Sequence, residues 1–295
     1  MMEFADHVRR QWFVVALSAA LQDKPVRVFL LGWPIVLARS ERGTIIALQD
    51  RCPHRGVPLS DGRIGPRGLT CRFHGWTFDE AGRCTGMPGH ADTPPGDIRV
   101  PCFAVIERDG LVWVARSAAH PLPERLSVLT SAKPRFVWEA RLAAPVIEAQ
   151  EKILSANCGG AAPSLSVEGD GFSVDHGQSA RSGFLFRLFE SRRMRERAYF
   201  SGLSTAQLEY RYASGSAVWI TLCFSPETLL STRVFATLHA RGRWAPAWLV
   251  KALISPVLRS VESQAQRTAD ASRPEAALLE LIRPHLQQAW STARI

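Results

Sequence analysis

Cysteine is scarce in this sequence. There are 6 in 295 residues, too few and too dispersed for the disulfide framework of a small secreted module. Long apolar runs are missing as well. The opening stretch MMEFADHVRRQWFVVAL places Asp6 and His7 ahead of a short apolar segment, a poor pattern for a signal peptide. Near the other end, WLVKALISPVL is broken by Lys251 and Pro256 and is too short to cross a bilayer. There is no internal repeat and no low-complexity segment. These absences exclude a disulfide scaffold and a membrane-spanning helix, and they lead us to expect a soluble, cytoplasmic protein.

What is present is ordinary globular composition with a basic bias. Hydrophobic residues make up 46% and charged residues 21%, enough apolar surface to drive folding. Lys and Arg number 36 against 27 Asp and Glu, a net charge of +9. Such an excess serves an acidic partner or is simply solvated surface. No long run of like charge occurs, so no nucleic-acid partner is expected. The densest basic stretch, Arg187 to Arg197, includes Arg192, Arg193 and Arg195 and is interrupted by Glu190 and Glu196.

The length allows two domains, and the patterning divides accordingly. VRVFLL, Gly32 and PIVLAR read as strand–turn–strand, TIIALQ as the next strand, and LTCRF, WTFD, CFAVIE and LVWVAR as further short strands. Residues 119–134 carry prolines and no periodicity, and are taken as a linker between a first domain at 1–118 and a second at 135–295. The second reads as α+β. FVWEARL is a strand, and VIEAQEKILSA is a short amphipathic helix broken by Asn157-Cys158-Gly159-Gly160. A β meander follows: LSVEG, GFSVDH, GFLFRLF, QLEYRY, VWITLCF and LLSTRVFATLHA. Helices are expected at about 245–270 and 274–290, the latter containing Pro284.

The chemistry-bearing signal lies in the first domain. Cys52-Pro53-His54 is followed, after sixteen residues, by Cys71-Arg72-Phe73-His74. Each half offers one thiolate and one imidazole, and two such loops face to face can hold a two-iron cluster with cysteines on one iron and histidines on the other. Gly56 and Gly75 suit a backbone that must turn tightly beside it. The competing reading is a structural zinc site. Zinc-finger pairs, however, run Cys-Cys then His-His, and zinc does not account for Pro53, Arg55, Gly75 and Trp76. The remaining cysteines, Cys84, Cys102, Cys158 and Cys223, read as small buried hydrophobes.

On these residues, and on the stretch from WFVVALSAAL through CPHRGVPLSDGRI to CRFHGWTFDEAGRCTGMP, the sequence resembles the Rieske non-haem iron oxygenases. The subgroup it looks most like is that of vanillate O-demethylase and pheophorbide a oxygenase. The resemblance covers residues 11–115. It implies an all-β Rieske domain carrying a [2Fe–2S] cluster on Cys52, His54, Cys71 and His74, followed by a helix-grip α+β domain. It also implies a trimer-type oligomer that receives electrons from a ferredoxin or a flavin reductase.

Members of that family bind a mononuclear Fe(II) through two histidines and a carboxylate, on a helix reading N-x-x-D-x-x-H-x-x-x-x-H. Laid on VIEAQEKILSANCGG with Glu148 as anchor, those positions fall on Ala149, Lys152, Ser155 and Gly160. None supplies the needed donor. Val257 stands at the position of the third ligand, with Glu262 the nearest carboxylate. No histidine occurs between His120 and His176, which makes the absence independent of register. His7, His90, His120, His176, His239 and His285 complete the inventory, and His176 and His239 could rebuild a site only by meeting across a sheet. The sequence therefore reads as an electron-transfer member of the family without mononuclear Fe(II), donating to an iron-bearing paralogous subunit. Two alternatives stay open: an oxygenase or demethylase with an unusual metal site, and a non-enzymatic redox-sensing or ligand-binding module.

Overall fold

The computed structural model describes residues 8, 10–89, 97–117, 136–157, 164–168, 171–179, 194–201, 203–241 and 275–291. The chain divides into two compact units, Met1–Pro121 and Leu122–Ile295. Among the described residues no helix is long and apolar enough to cross a membrane.

Among the described residues the first unit shows three small antiparallel sheets. Strands β1 (Phe13–Leu17), β9 (Ala104–Arg108) and β10 (Leu111–Ala115) form one in the order β1-β10-β9. Strands β2 (Val26–Leu30), β3 (Trp33–Arg39) and β4 (Ile45–Gln49) form the second. The third joins β5 (Arg63–Gly65), β6 (Gly68–Thr70), β7 (Thr77–Phe78) and β8 (Cys84–Gly86) in chain order. The apolar segment at 13–17, first met as a weak leader pattern, is strand β1, paired with β10 from Phe13↔Val114 to Leu17↔Leu111. Strand β3 does not alternate: Ile35, Val36, Leu37 and Ala38 are all fully buried. Both of its faces are covered, which a continuous apolar run allows.

Among the described residues the second unit shows a seven-stranded antiparallel sheet and two helices. Its strands are β11 (Phe136–Leu142), β12 (Ser164–Glu168), β13 (Gly171–Ser179), β14 (Met194–Ser201), β15 (Thr205–Tyr212), β16 (Ala217–Thr228) and β17 (Ser231–Arg241), ordered β11-β17-β16-β15-β14-β13-β12. Helix α1 spans Val146–Asn157 and α2 spans Glu275–Ser291, with Pro284 inside it. The core holds Phe172, Val174, Ala198, Phe200, Leu208, Leu222, Phe224, Val234 and Ala236 with Ile282 and Leu286 of α2. The rings of Phe172 and Phe200 stack across β13 and β14 with centroids 4.0 Å apart. The expected segments GFLFRLF, 245–270 and 119–134 lie outside the described residues.

Strand β14 was not expected, because MRERAYFS reads as part of a basic stretch. Its alternation explains the charge pattern. Glu196, Ala198 and Phe200 are buried, whereas Arg195, Arg197 and Tyr199 take the other face, the period of two that a strand imposes. Arg195 and Arg197 both hold Asp175 on the neighbouring strand, at 2.6 and 2.9 Å. Arg195 is therefore partly neutralised, and Arg187, Arg192 and Arg193 lie outside the described residues. Burial opposes ionisation of Asp175, but hydrogen bonds from Arg195, the Gly177 N–H and Arg197 outweigh it and hold the carboxyl at about 2.

Helix α1 is tied to α2 and to the start of β15 by two neighbouring residues. The buried Gln150 amide donates to the Leu203 carbonyl at 3.0 Å and accepts from the Trp290 indole at 3.0 Å. Glu151 receives a bidentate bond from Arg283 at 2.7 and 3.1 Å, on the exposed side.

Three outcomes follow for the second unit. Gln150→Ala strands a carbonyl and an indole N–H, and should cost about 2–4 kcal/mol in denaturant unfolding. Arg283→Ala breaks only a solvent-screened pair and should cost less than about 1 kcal/mol. Asp175 has a depressed pKa, so its contribution is complete above the unfolded value of about 4 and is lost as pH falls towards 2. Acid titration of the wild type should show that loss, and Asp175→Asn should flatten it.

A buried thiol pair capped by two imidazoles

The two loops that carry the candidate ligands have the same backbone build. In the first, the Cys52 N–H donates to the Val57 carbonyl at 2.8 Å and the Gly56 N–H donates to the Cys52 carbonyl at 2.8 Å. In the second, the Cys71 N–H donates to the Trp76 carbonyl at 2.8 Å and the Gly75 N–H to the Cys71 carbonyl at 3.0 Å. Gly56 and Gly75 close the two turns with φ of 71° and 72°, in the left-handed region where a side chain is strained. Histidine sits two residues after cysteine in one loop and three after it in the other, yet the frame around both is shared.

The strands set these loops against each other. The Asp50 carboxylate, fully buried at the end of β4, accepts from the Ser60 N–H and hydroxyl at 2.7 Å each and from Arg27 at 2.5 Å. It fixes both ends of the first loop. The second loop is closed by β6 and β7, paired Leu69↔Phe78 and Thr70↔Thr77. Gly68 opens β6 at φ 117°, and a Cβ there would lie 2.1 Å from the Phe78 carbonyl oxygen. Only glycine lets the two chains approach that closely.

The four residues come together with opposite exposures. Cys52 and Cys71 are each 2% exposed and belong to a core cluster with Val36, Ile46, Leu48, Leu59, Leu69 and Phe78. His54 and His74 are exposed, with ring centroids 4.5 Å apart and planes tilted by 59°. The Trp76 ring lies parallel to His54 at 4.7 Å, and Phe73, 57% exposed, lies 4.3 Å from His74. Arg51, Arg55 and Arg72 are exposed on the same two loops. Among the described residues no three His, Cys, Asp or Glu side chains close on one point. The arrangement is one of pairs, two thiols inside and two imidazoles outside.

Burial pushes the Cys52 thiol up to about 11, against the pull of the His54 N–H aimed at its sulfur and with a further push from Cys71. A thiolate there needs a cation beside it. Two thiols that are costly to ionise alone, with imidazoles facing them, fit a two-iron cluster with cysteine ligands on the inner iron and histidine ligands on the outer one.

The second unit arranges the other candidates differently. Ala149 is fully buried in α1 and packs in the core of the sheet. Lys152 and Ser155 lie on the same helix, while their side chains and Gly160, Val257 and Glu262 are outside the described residues. His176 belongs to β13 and His239 to β17, with three strands between them. At about 4.8 Å per strand their backbones are about 19 Å apart along the sheet. His239 is buried opposite Trp219, and the His285 ring of α2 lies 5.4 Å from Phe172. Sequence reasoning missed Asp50 and Gly68, and it noted Trp76 without a partner. The C-x-x-H-G-W run holds Trp76 in plain view, but its partner becomes known only once the two loops face each other.

Comparison with known proteins agrees with this geometry. Residues 11–104 match the family model of the Rieske [2Fe-2S] domain. The oxygenase component of dicamba O-demethylase from Stenotrophomonas maltophilia is 41% identical over 107 residues, 36% of this chain and 32% of that protein. Oxidoreductase NdmD of Pseudomonas putida is 35% identical over 142 residues, 47% of this chain and 24% of its own. The chain thus matches a third or less of the length of these relatives. In fold the likeness runs further. A crystal structure of dicamba monooxygenase superposes with a TM-score of 0.73 at 22% identity, covering 97% of each chain. NdmB of Pseudomonas putida does so with a TM-score of 0.75 at 20% identity, covering 98% of this chain and 94% of that one.

Gly68→Ala should remove about 3 kcal/mol or more from the first unit, because the new methyl meets a carbonyl in a backbone conformation it disfavours. Gly65→Ala, with nothing within 4 Å of its Cβ, should change stability by less than about 1 kcal/mol. Thermal unfolding of the two variants side by side checks this.

Proposed function

We propose that this chain, whose first unit is a Rieske domain and whose two-unit fold is that of the Rieske non-haem iron oxygenases, works as an electron-transfer component. In this reading it passes single electrons to a partner subunit that holds the mononuclear iron. Cys52, His54, Cys71 and His74 are the ligands of the [2Fe–2S] cluster. Bound there, that group supplies one-electron chemistry at a potential of about −150 to +300 mV, raised by two neutral imidazoles in place of thiolates.

The chain's own residues prepare both ends of the transfer. The core cluster around Cys52 and Cys71 keeps water from the thiolate side. The exposed imidazoles of His54 and His74 bring the other side to the protein surface, where a partner can approach. Arg51, Arg55 and Arg72 set a cationic rim beside them, and Phe73 adds an apolar contact. Such a rim mainly raises the rate of encounter with an acidic partner, in keeping with a ferredoxin or flavin reductase as donor. We place the protein in the cytoplasm, within a trimer-type oligomer.

The observation that carries this reading is the contrast between the units. The first keeps a complete ligand set. In the second, the helix expected to bind iron presents a buried methyl at Ala149, in a stretch from 121 to 175 without histidine. An open-sided iron site needs imidazole and carboxylate donors together, and the lack of histidine in this stretch supports the reading.

The purified protein should contain two irons and two acid-labile sulfides per chain and give a Rieske-type EPR signal on reduction. His54→Ala or Cys71→Ala should abolish that signal. Anaerobic loading with Fe(II) should add no third iron, and reoxidation of the reduced protein should accelerate when an iron-bearing paralogue is added. A third iron, or oxygenated product from the protein alone, would overturn the electron-transfer role in favour of an oxygenase with a rebuilt site.

A further inference from the structure

We propose that Trp76 is a positioning residue that clamps His54 from the opposite loop and fixes the plane of its imidazole. The proposal rests on the cluster reading above and concerns what holds one ligand in place. An imidazole has a broad, roughly two-fold torsion at its ring, so a ligating histidine needs an external restraint. A hydrogen bond to its second nitrogen is the usual device. Among the described residues His54 has no such bond. Its ring contacts are His74 at 4.5 Å and Trp76 at 4.7 Å. The Trp76 plane deviates from the His54 plane by only 5°, a parallel stack that leaves the imidazole free to translate but not to turn.

The asymmetry of the two loops isolates this role. Their backbones match hydrogen bond for hydrogen bond, and Val57 and Trp76 occupy equivalent positions, each accepting from the N–H of its own cysteine. Both pack against the core cluster that contains Cys52 and Cys71. Backbone closure needs only a carbonyl at that position, as Val57 demonstrates. The indole adds something the frame does not require: a flat surface, anchored in the core, that reaches across to the other loop's histidine. Among the described residues no ring stacks parallel on His74: His54 across the gap is tilted by 59° and the exposed Phe73 of its own loop by 55°. Trp76 therefore couples the halves of the site and orients the ligand on the loop that lacks an aromatic of its own.

The test uses the full-length protein with its cluster, comparing wild type, Trp76→Phe and Trp76→Leu. Pulsed EPR of the reduced state reads the nitrogen couplings of the histidine ligands, and iron release to a chelator reads the hold on the outer iron. Trp76→Phe keeps a flat ring and should retain the wild-type couplings. Trp76→Leu should keep the cluster but broaden one histidine's couplings, and release iron about three- to tenfold faster, in line with the loss of one aromatic pair. Unaltered couplings and release in Trp76→Leu would overturn the clamp. So would a Trp76→Phe variant whose couplings and iron release depart from those of the wild type, a comparison that stands alone if the leucine variant does not fold. Wild-type protein without iron and sulfide would instead overturn the cluster reading itself.

Discussion

The burial of two thiols in a hydrocarbon core is the constraint around which the first unit is organised. Cys52 and Cys71 are 2% exposed among Val36, Ile46, Leu48, Leu59, Leu69 and Phe78. Such surroundings disfavour a bare thiolate, and they raise the Cys52 thiol to about 11. The same surroundings suit a thiolate bound to iron, where the metal charge replaces solvation. The loops must then present sulfur inward and imidazole outward from only a few residues. This explains the left-handed glycines at 56 and 75, the close pass of Gly68 against Phe78, and the Asp50 anchor that holds the first loop from below.

The second unit answers to a different demand. Its sheet has one face filled by Phe172, Phe200, Leu222 and Phe224 and closed by α2. Gln150 and Glu151 lock α1 to that closing helix through Trp290 and Arg283. Ala149 contributes a methyl to the same core, so this face of α1 serves packing.

Charge is distributed by the same logic. The basic stretch that stood out in the sequence is in part strand β14, whose arginines alternate with buried residues and are held by Asp175. Three exposed arginines, Arg51, Arg55 and Arg72, are carried by the two loops that also carry the imidazoles.

The sequence by itself determined the Cys-x-His and Cys-x-x-His spacing, most strands and helix α1, because these depend on residue type and on periodicity over a few positions. It also determined the lack of histidine from 121 to 175, which no fold can alter. Tertiary structure alone decided three things. It placed β14 in the sheet, where pairing with β13 and β15 outweighs a charge-rich composition. It separated His176 from His239 by three strands, although the sequence left open that the two could meet across a sheet. And it laid Trp76 on His54 from across the gap. Periodicity tells which face a side chain takes, but the identity of its neighbour depends on which strands and loops come together, and that choice is made by the burial of the whole core.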